Sequence, residues 1–98
     1  MIVITGSVMV KEGRLTDALA LSLEHVRRSR LENGCVSHAV HHDAENPNVL
    51  FFFEEWADQA AVDAHFAVPA SRDFVRALGG LAAEPPRLSL YDATKRAR

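Results

Sequence analysis

The stretch Val49-Leu50-Phe51-Phe52-Phe53-Glu54-Glu55-Trp56 decides the architecture. Its β-branched and aromatic residues favour an extended chain, and the run is short for a helix. Alternation places Val49, Phe51, Phe53 and Glu55 on one face, and Leu50, Phe52, Glu54 and Trp56 on the other. Both faces begin apolar, so both sides of the sheet call for cover. Helices of the same chain can cover one side. A second copy of the sheet is the simplest cover for the other.

Upstream, Cys35 to His42 reads as a partner strand, with Val36, His38, Val40 and His42 on one face. Before it, Leu15, Leu19, Leu23, Val26 and Leu31 recur at helical spacing. Asn33-Gly34 is expected to end that helix, because glycine tolerates the left-handed backbone of a C-cap. Ile2 to Val10 is the opening strand, interrupted at Gly6. Downstream, Asp58 is a suitable N-cap for a helix through Val62 and His65. Pro69 breaks it. Phe74, Val75, Leu78 and Leu81 continue a helical stripe, which Gly79-Gly80 is expected to weaken or end. Pro85-Pro86 lead into a last short strand, Arg87 to Tyr91. The order β-α-β-β-α-β predicts an α+β fold of the ferredoxin-like, split βαβ type.

The chain has 98 residues, 48 % of them hydrophobic and 24 % charged, which suits one globular domain over residues 1–98. The expected core spans about 2–91, and 92–98 form a tail containing Lys95, Arg96 and Arg98. Net charge is -2, and the strand aromatics are not interleaved with basic residues, so nothing points to nucleic acid. The sequence shows neither a signal-like opening nor a long apolar run, and no membrane partner is expected. Cys35 is the sole cysteine, so no intrachain disulfide forms. A cytoplasmic protein is the default expectation.

Glu54 and Trp56 leave the same strand face behind Leu50 and Phe52. A carboxylate at the end of an apolar line belongs to a cavity rim or to a partner. Trp56 can stack on a planar ligand, or it can be a core wedge beside a Glu54 paired with an arginine. His65 can serve as a general base, or it can be a core histidine bonded to a backbone carbonyl or to Glu54. His38 is a further pocket candidate, since Val36 and Val40 suggest a covered face. Phe52 and Thr5 are candidate wall residues. Arg72 can meet an anionic ligand or form a surface ion pair.

His38 and His42 lie about 13 Å apart by strand rise, too far to share a metal, and His41 points the other way. No metal site is expected. His25 reads as structural or exposed. Cys35 lacks a companion base, and Thr5 and Ser71 have no triad context. No GxGxxG, P-loop or CxxC occurs.

The ordered set Glu32-Asn33-Gly34-Cys35, Pro47, Phe51-Phe52-Phe53-Glu54-Glu55-Trp56-Ala57-Asp58, His65 and Pro69 resembles the antibiotic biosynthesis monooxygenase family. It is most similar to the small quinol monooxygenase type. The resemblance implies a homodimer closing into a dimeric α/β-barrel. It also implies oxidation of a phenolic, quinol or quinone-like aromatic molecule by O2 with no cofactor. Carried over, Glu54 and Trp56 match the family's E-x-W, and His65 the histidine of the following helix. Two departures stand out: Ala70 follows Pro69 where histidine is frequent, and Thr5 and Ser7 stand where relatives favour asparagine. The resemblance thus implies His65 and Glu54 as catalytic residues and Trp56, His38, Phe52, Arg72 and Thr5 as substrate contacts. The rivals are a non-catalytic dimeric small-molecule-binding or stress-related protein, and an isomerase of a small oxygenated metabolite.

Overall fold

The aromatic run forms an interior strand of a four-stranded antiparallel sheet in the computed structural model, which describes all 98 residues. The elements are β1 (Ile2–Met9), α1 (Leu15–Ser29), β2 (Cys35–His42), β3 (Val49–Trp56), α2 (Gln59–Ala67), α3 (Pro69–Leu81) and β4 (Arg87–Asp92). Their spatial order is β2-β3-β1-β4, with every neighbouring pair antiparallel. Placing β1 and β3 side by side in the centre is the split βαβ plan.

The expected barrel is overturned. The sheet is open, and β2 and β4 are its two edges. Four strands are too few to curl round and join edge to edge while leaving room for side chains inside.

The helices lie on one face. Ile2, Ile4, Val8, Leu50, Phe52, Glu54 and Trp56 point into that layer and are buried. On the opposite face Phe51 and Phe53 remain 39 % and 37 % exposed, and no element of this chain covers them. Two apolar clusters form the core. One joins Val8, Val10, Ala18, Val26, Leu50, Phe52, Leu78 and Leu81, and the other joins Ile2, Ile4, Trp56, Ala61 and Val62. Glu54 falls between them, on the strand that carries Phe52 into one cluster and Trp56 into the other.

Helix α1 keeps much of the stripe expected of it, with Val26 buried and Leu15 and Leu19 partly buried against the core, and extends its buried face through two serines. Its buried residues are Ala18, Ser22, His25, Val26 and Ser29, while Leu31 lies beyond the helix and is 87 % exposed. Ser22 Oγ donates to Ala18 O at 2.7 Å, and Ser29 Oγ to His25 O at 2.7 Å. With its hydroxyl satisfied by the preceding turn, each serine packs as a small residue and lets the helix approach the sheet closely.

The turn after α1 also departs from expectation. The helix stops at Ser29, and Gly34 opens β2 with φ +83. Gly34 O accepts from Ala57 N at 2.8 Å. A Cβ on Gly34 would stand 2.5 Å from Ala61 Cβ, so glycine is needed for space as well as for backbone. A β-bulge follows between Cys35 and Ser37, leaving Val36 57 % exposed.

Asp58 caps α2, its carboxylate accepting from Ala61 N at 2.9 Å. Pro69 is the first residue of α3. Gly79-Gly80 do not end α3, which runs through them to Leu81. Burial of Leu78 and Leu81 outweighs the helix-weakening effect of two glycines.

Candidate active site

Four elements send polar side chains into the gap between the two apolar clusters. His25 comes from α1, His38 from β2, Glu54 from β3 and His65 from α2, and all four are at most 7 % exposed. Cross-strand register sets one pair, since His38 lies directly opposite Glu54. The helices close over that pair.

Glu54 Oε1 is the hub. Trp56 Nε1 donates to it at 2.9 Å, His38 Nε2 lies 3.2 Å away and His65 Nε2 4.0 Å away. The His38 contact is misaligned, so neither ring nitrogen of His38 makes a hydrogen bond although both are buried. On the far side of the His65 ring, Nδ1 donates to Glu32 Oε1 at 2.9 Å. Glu32 sits in the turn after α1. Its carboxylate fixes the His65 tautomer and leaves Nε2 bare towards the centre.

His25 is tuned the other way. Burial foremost, then the charges of His38, His65 and Arg28, lower its pKa to about 3, so the ring is neutral. Arg28 Nη2 lies 3.1 Å from His25 Nδ1, and a guanidinium can only donate, so the ring proton sits on Nε2. Phe74 stacks on the ring at 4.0 Å between centres and 7° between planes. A bare nitrogen on His65 and a proton-bearing one on His25 thus face one space.

That space opens into a cavity of about 690 Å³ between the sheet and α3. The volume suits a small organic ligand. His25, Glu54 and His65 contribute to its wall, with Phe52, Phe74, Leu78 and Leu88 as apolar lining. Arg72 and Arg87 also line it, and both are exposed. Ser71 Oγ is buried on the same wall without a partner.

Of the residues singled out in the sequence, His65, Glu54, Phe52 and Arg72 therefore stand around one cavity. Trp56 does not line it. It is fully buried beside Ile2, Ile4 and Val62, and reaches the site only through its indole N–H. His38 also lies behind the wall, against the Trp56 edge at 6.1 Å between ring centres. Thr5 is not among the lining residues, and sits opposite Phe53 and Ser89 in the register. Arg72 Nε donates to Phe66 O at 3.2 Å rather than to Asp73 or Glu54.

Two site residues were missed. His25 lies on the ridge Ala18, Ser22, His25, Ser29, visible only if serine is counted as a small buried residue. Glu32 carries no local signal, because only the fold brings it to His65, 33 residues onward. The metal question also changes. His41 and His42 are exposed, while His38 meets His25 and His65, with one nitrogen of each ring inside a 4.8 Å span. Burial raises the Cys35 thiol pKa, with Glu32 and Glu54 adding to the effect, so it is a poor nucleophile.

Residues 1–77 match the family described as Antibiotic biosynthesis monooxygenase. The chain belongs to this family. A crystal structure of an antibiotic biosynthesis monooxygenase superposes with a TM-score of 0.89 at 26 % identity, covering 97 % of this chain and 100 % of that one. A Shewanella oneidensis protein gives 0.86 at 26 % identity, covering 92 % and 87 %. An uncharacterized protein of Synechocystis sp. is 36 % identical over 90 residues. That alignment takes in 92 % of this chain and 61 % of the relative, so the chain spans about three-fifths of that relative's length. No helix is long and apolar enough to cross a membrane.

Proposed function

We propose that this protein oxidises a phenolic or quinol-type small molecule with molecular oxygen, using no cofactor. The observation that carries the reading is His65, whose Nδ1 is anchored on Glu32 at 2.9 Å while Nε2 faces the apolar cavity.

The aromatic body of the substrate lies against Phe52, Phe74 and Leu78. His65 Nε2 accepts the acidic proton, and Glu32 stabilises the imidazolium that results. The neutral His25 donates from Nε2 to the oxyanion, and Ser71 Oγ offers a second donor. The substrate anion, held away from water, passes an electron to O2 directly. For an anthrone-type methylene the balance closes without an outside reductant. The carbon gains one oxygen atom as a carbonyl, and its two hydrogens leave with the other as water.

Glu54 is the hydrogen-bonding hub that holds Trp56 and faces both His38 and His65. Arg72 flanks the mouth of the cavity. The homodimer belongs to the same proposal, with a second copy covering Phe51 and Phe53.

Oxygen uptake with naphthoquinols and anthrones tests the reading. The wild-type protein should exceed the uncatalysed rate, and His65→Ala should lose roughly 10²–10⁴-fold, the usual worth of a positioned base. Uptake at the background rate, or unchanged in His65→Ala, rejects it. Ligand retention without turnover would favour a binding protein. Product formation without oxygen would favour an isomerase.

A further inference from the structure

We infer that His25, His38, His65 and Glu54 form a binding site for one divalent transition-metal ion of the zinc or cobalt kind. The inference does not depend on the oxidation chemistry proposed above. It rests on four side chains from four elements meeting in one buried spot.

The geometry fits. The ring centres of the three histidines lie 5.3, 5.4 and 5.8 Å apart, a nearly equilateral triangle. Three imidazoles around a tetrahedral ion at about 2.0–2.1 Å from nitrogen have centres roughly 5 Å apart. The 4.8 Å span of the nitrogens must shrink by up to about 1.5 Å on binding, through rotation of the rings and small shifts of the side chains. Glu54 Oε1, 3.2 Å from His38 Nε2 and 4.0 Å from His65 Nε2, provides the fourth donor.

His38 gives the independent reason. Its side chain is fully buried and neither ring nitrogen has a hydrogen-bond partner. Two orphaned polar atoms in a core are costly, and an ion would satisfy the one that faces Glu54. The surroundings resemble those of a metal site as well. Glu32 orients His65 from behind, and Trp56 orients Glu54. His25, Glu54 and His65 reach the cavity wall, so the ion would have a path in.

One group opposes loading. Arg28 donates to His25 Nδ1 and so keeps the proton on Nε2. Binding through Nε2 requires Arg28 to release and the proton to move to Nδ1. The ion would also occupy His65 Nε2, the nitrogen proposed above to take the substrate proton. Metal-loaded protein should therefore be inactive in cofactor-free oxidation, and a chelator should restore it.

The test is titration of the EDTA-treated full chain with Co²⁺ and then Zn²⁺. The expected result is one equivalent of Co²⁺ per chain with a visible d–d spectrum, displaced by Zn²⁺. His38→Gln should weaken binding at least tenfold, Glu32→Gln by roughly 10–100-fold, and Arg28→Gln should strengthen it. A His41→Gln/His42→Gln double variant should bind like the wild type. Arg28→Gln and the double variant alter no proposed ligand, so they keep the test informative if His38→Gln fails to fold. Absence of saturable binding at micromolar ion, binding unweakened in a folded His38→Gln, or loss of binding in the double variant overturns the site. Titration needs no substrate, so failure of the oxidation reading would leave this result standing.

Discussion

His65 Nδ1 lies 2.9 Å from Glu32 Oε1, joining α2, which follows β3, to the turn that precedes β2. This makes Glu32 a positioning residue, acting on the substrate only through His65. Glu32→Gln should lower kcat for oxygen uptake about tenfold or more with little change in KM, and Glu32→Asp should recover part of the loss. Equal effects on KM and kcat, or no rescue, would mean the contact is merely structural.

Trp56 Nε1 is the one aligned hydrogen-bond donor on Glu54 Oε1. Trp56→Phe removes it and leaves a buried carboxylate oxygen short of a partner. A loss of about 1–3 kcal/mol in denaturant unfolding is expected. A variant as stable as the wild type would show that His38 or water takes over.

Gly34 combines a positive φ with the absence of room for a methyl group. Gly34→Ala should cost roughly 2–4 kcal/mol, from left-handed backbone and overpacking together. Gly79→Ala meets open space in α3 and should stabilise by up to about 1 kcal/mol. Thermal melts of the two variants should move in opposite directions.

The His25 pKa of about 3 makes stability depend on pH. In the unfolded chain it returns to 6.5, so between those values the unfolded state binds the extra proton. Stability from this group is full above pH 6.5 and falls as the pH drops towards 3, with a slope approaching 1.4 kcal/mol per unit, roughly. Urea midpoints measured in EDTA at pH 7 and pH 5 should converge between wild type and His25→Gln at the lower pH. Parallel midpoints would show that another group dominates.

Phe51 and Phe53 are over a third exposed on the uncovered sheet face. Light scattering should therefore find a dimer at micromolar concentration, and Phe51→Glu/Phe53→Glu should shift it to monomer. A monomeric wild type would remove the homodimer from the proposed function.

What could be read from residues alone follows from which forces act locally. The strand from Val49 to Trp56, the cap at Asp58 and the break at Pro69 are short-range steric and hydrogen-bonding effects, and each appears where its residues stand. The stripe of α1 through Leu15, Leu19 and Val26 packs on the core, but its buried face also takes in Ser22 and Ser29, which satisfy their own hydroxyls on the preceding turn and pack like alanine. The covered position of His38 was inferred partly from Val36, yet the bulge at Cys35–Ser37 leaves Val36 exposed. Trp56 was given a place on the pocket wall because strand alternation fixes a face but not a depth. The meeting of His25 with His38, and of Glu32 with His65, depends on how α1 docks across the sheet, which no local spacing encodes.

The site hangs from α1, β2, β3 and α2 at once, so it exists only while α1 rests on the sheet. Anything that occupies it is bound by the closed molecule alone. Occupancy and docking of the helix then share one equilibrium. Amide hydrogens along Ser22–Ser29 should exchange more slowly in the occupied protein, including those that touch nothing in the cavity. The helix would thus report, in its own backbone, what the centre of the protein holds.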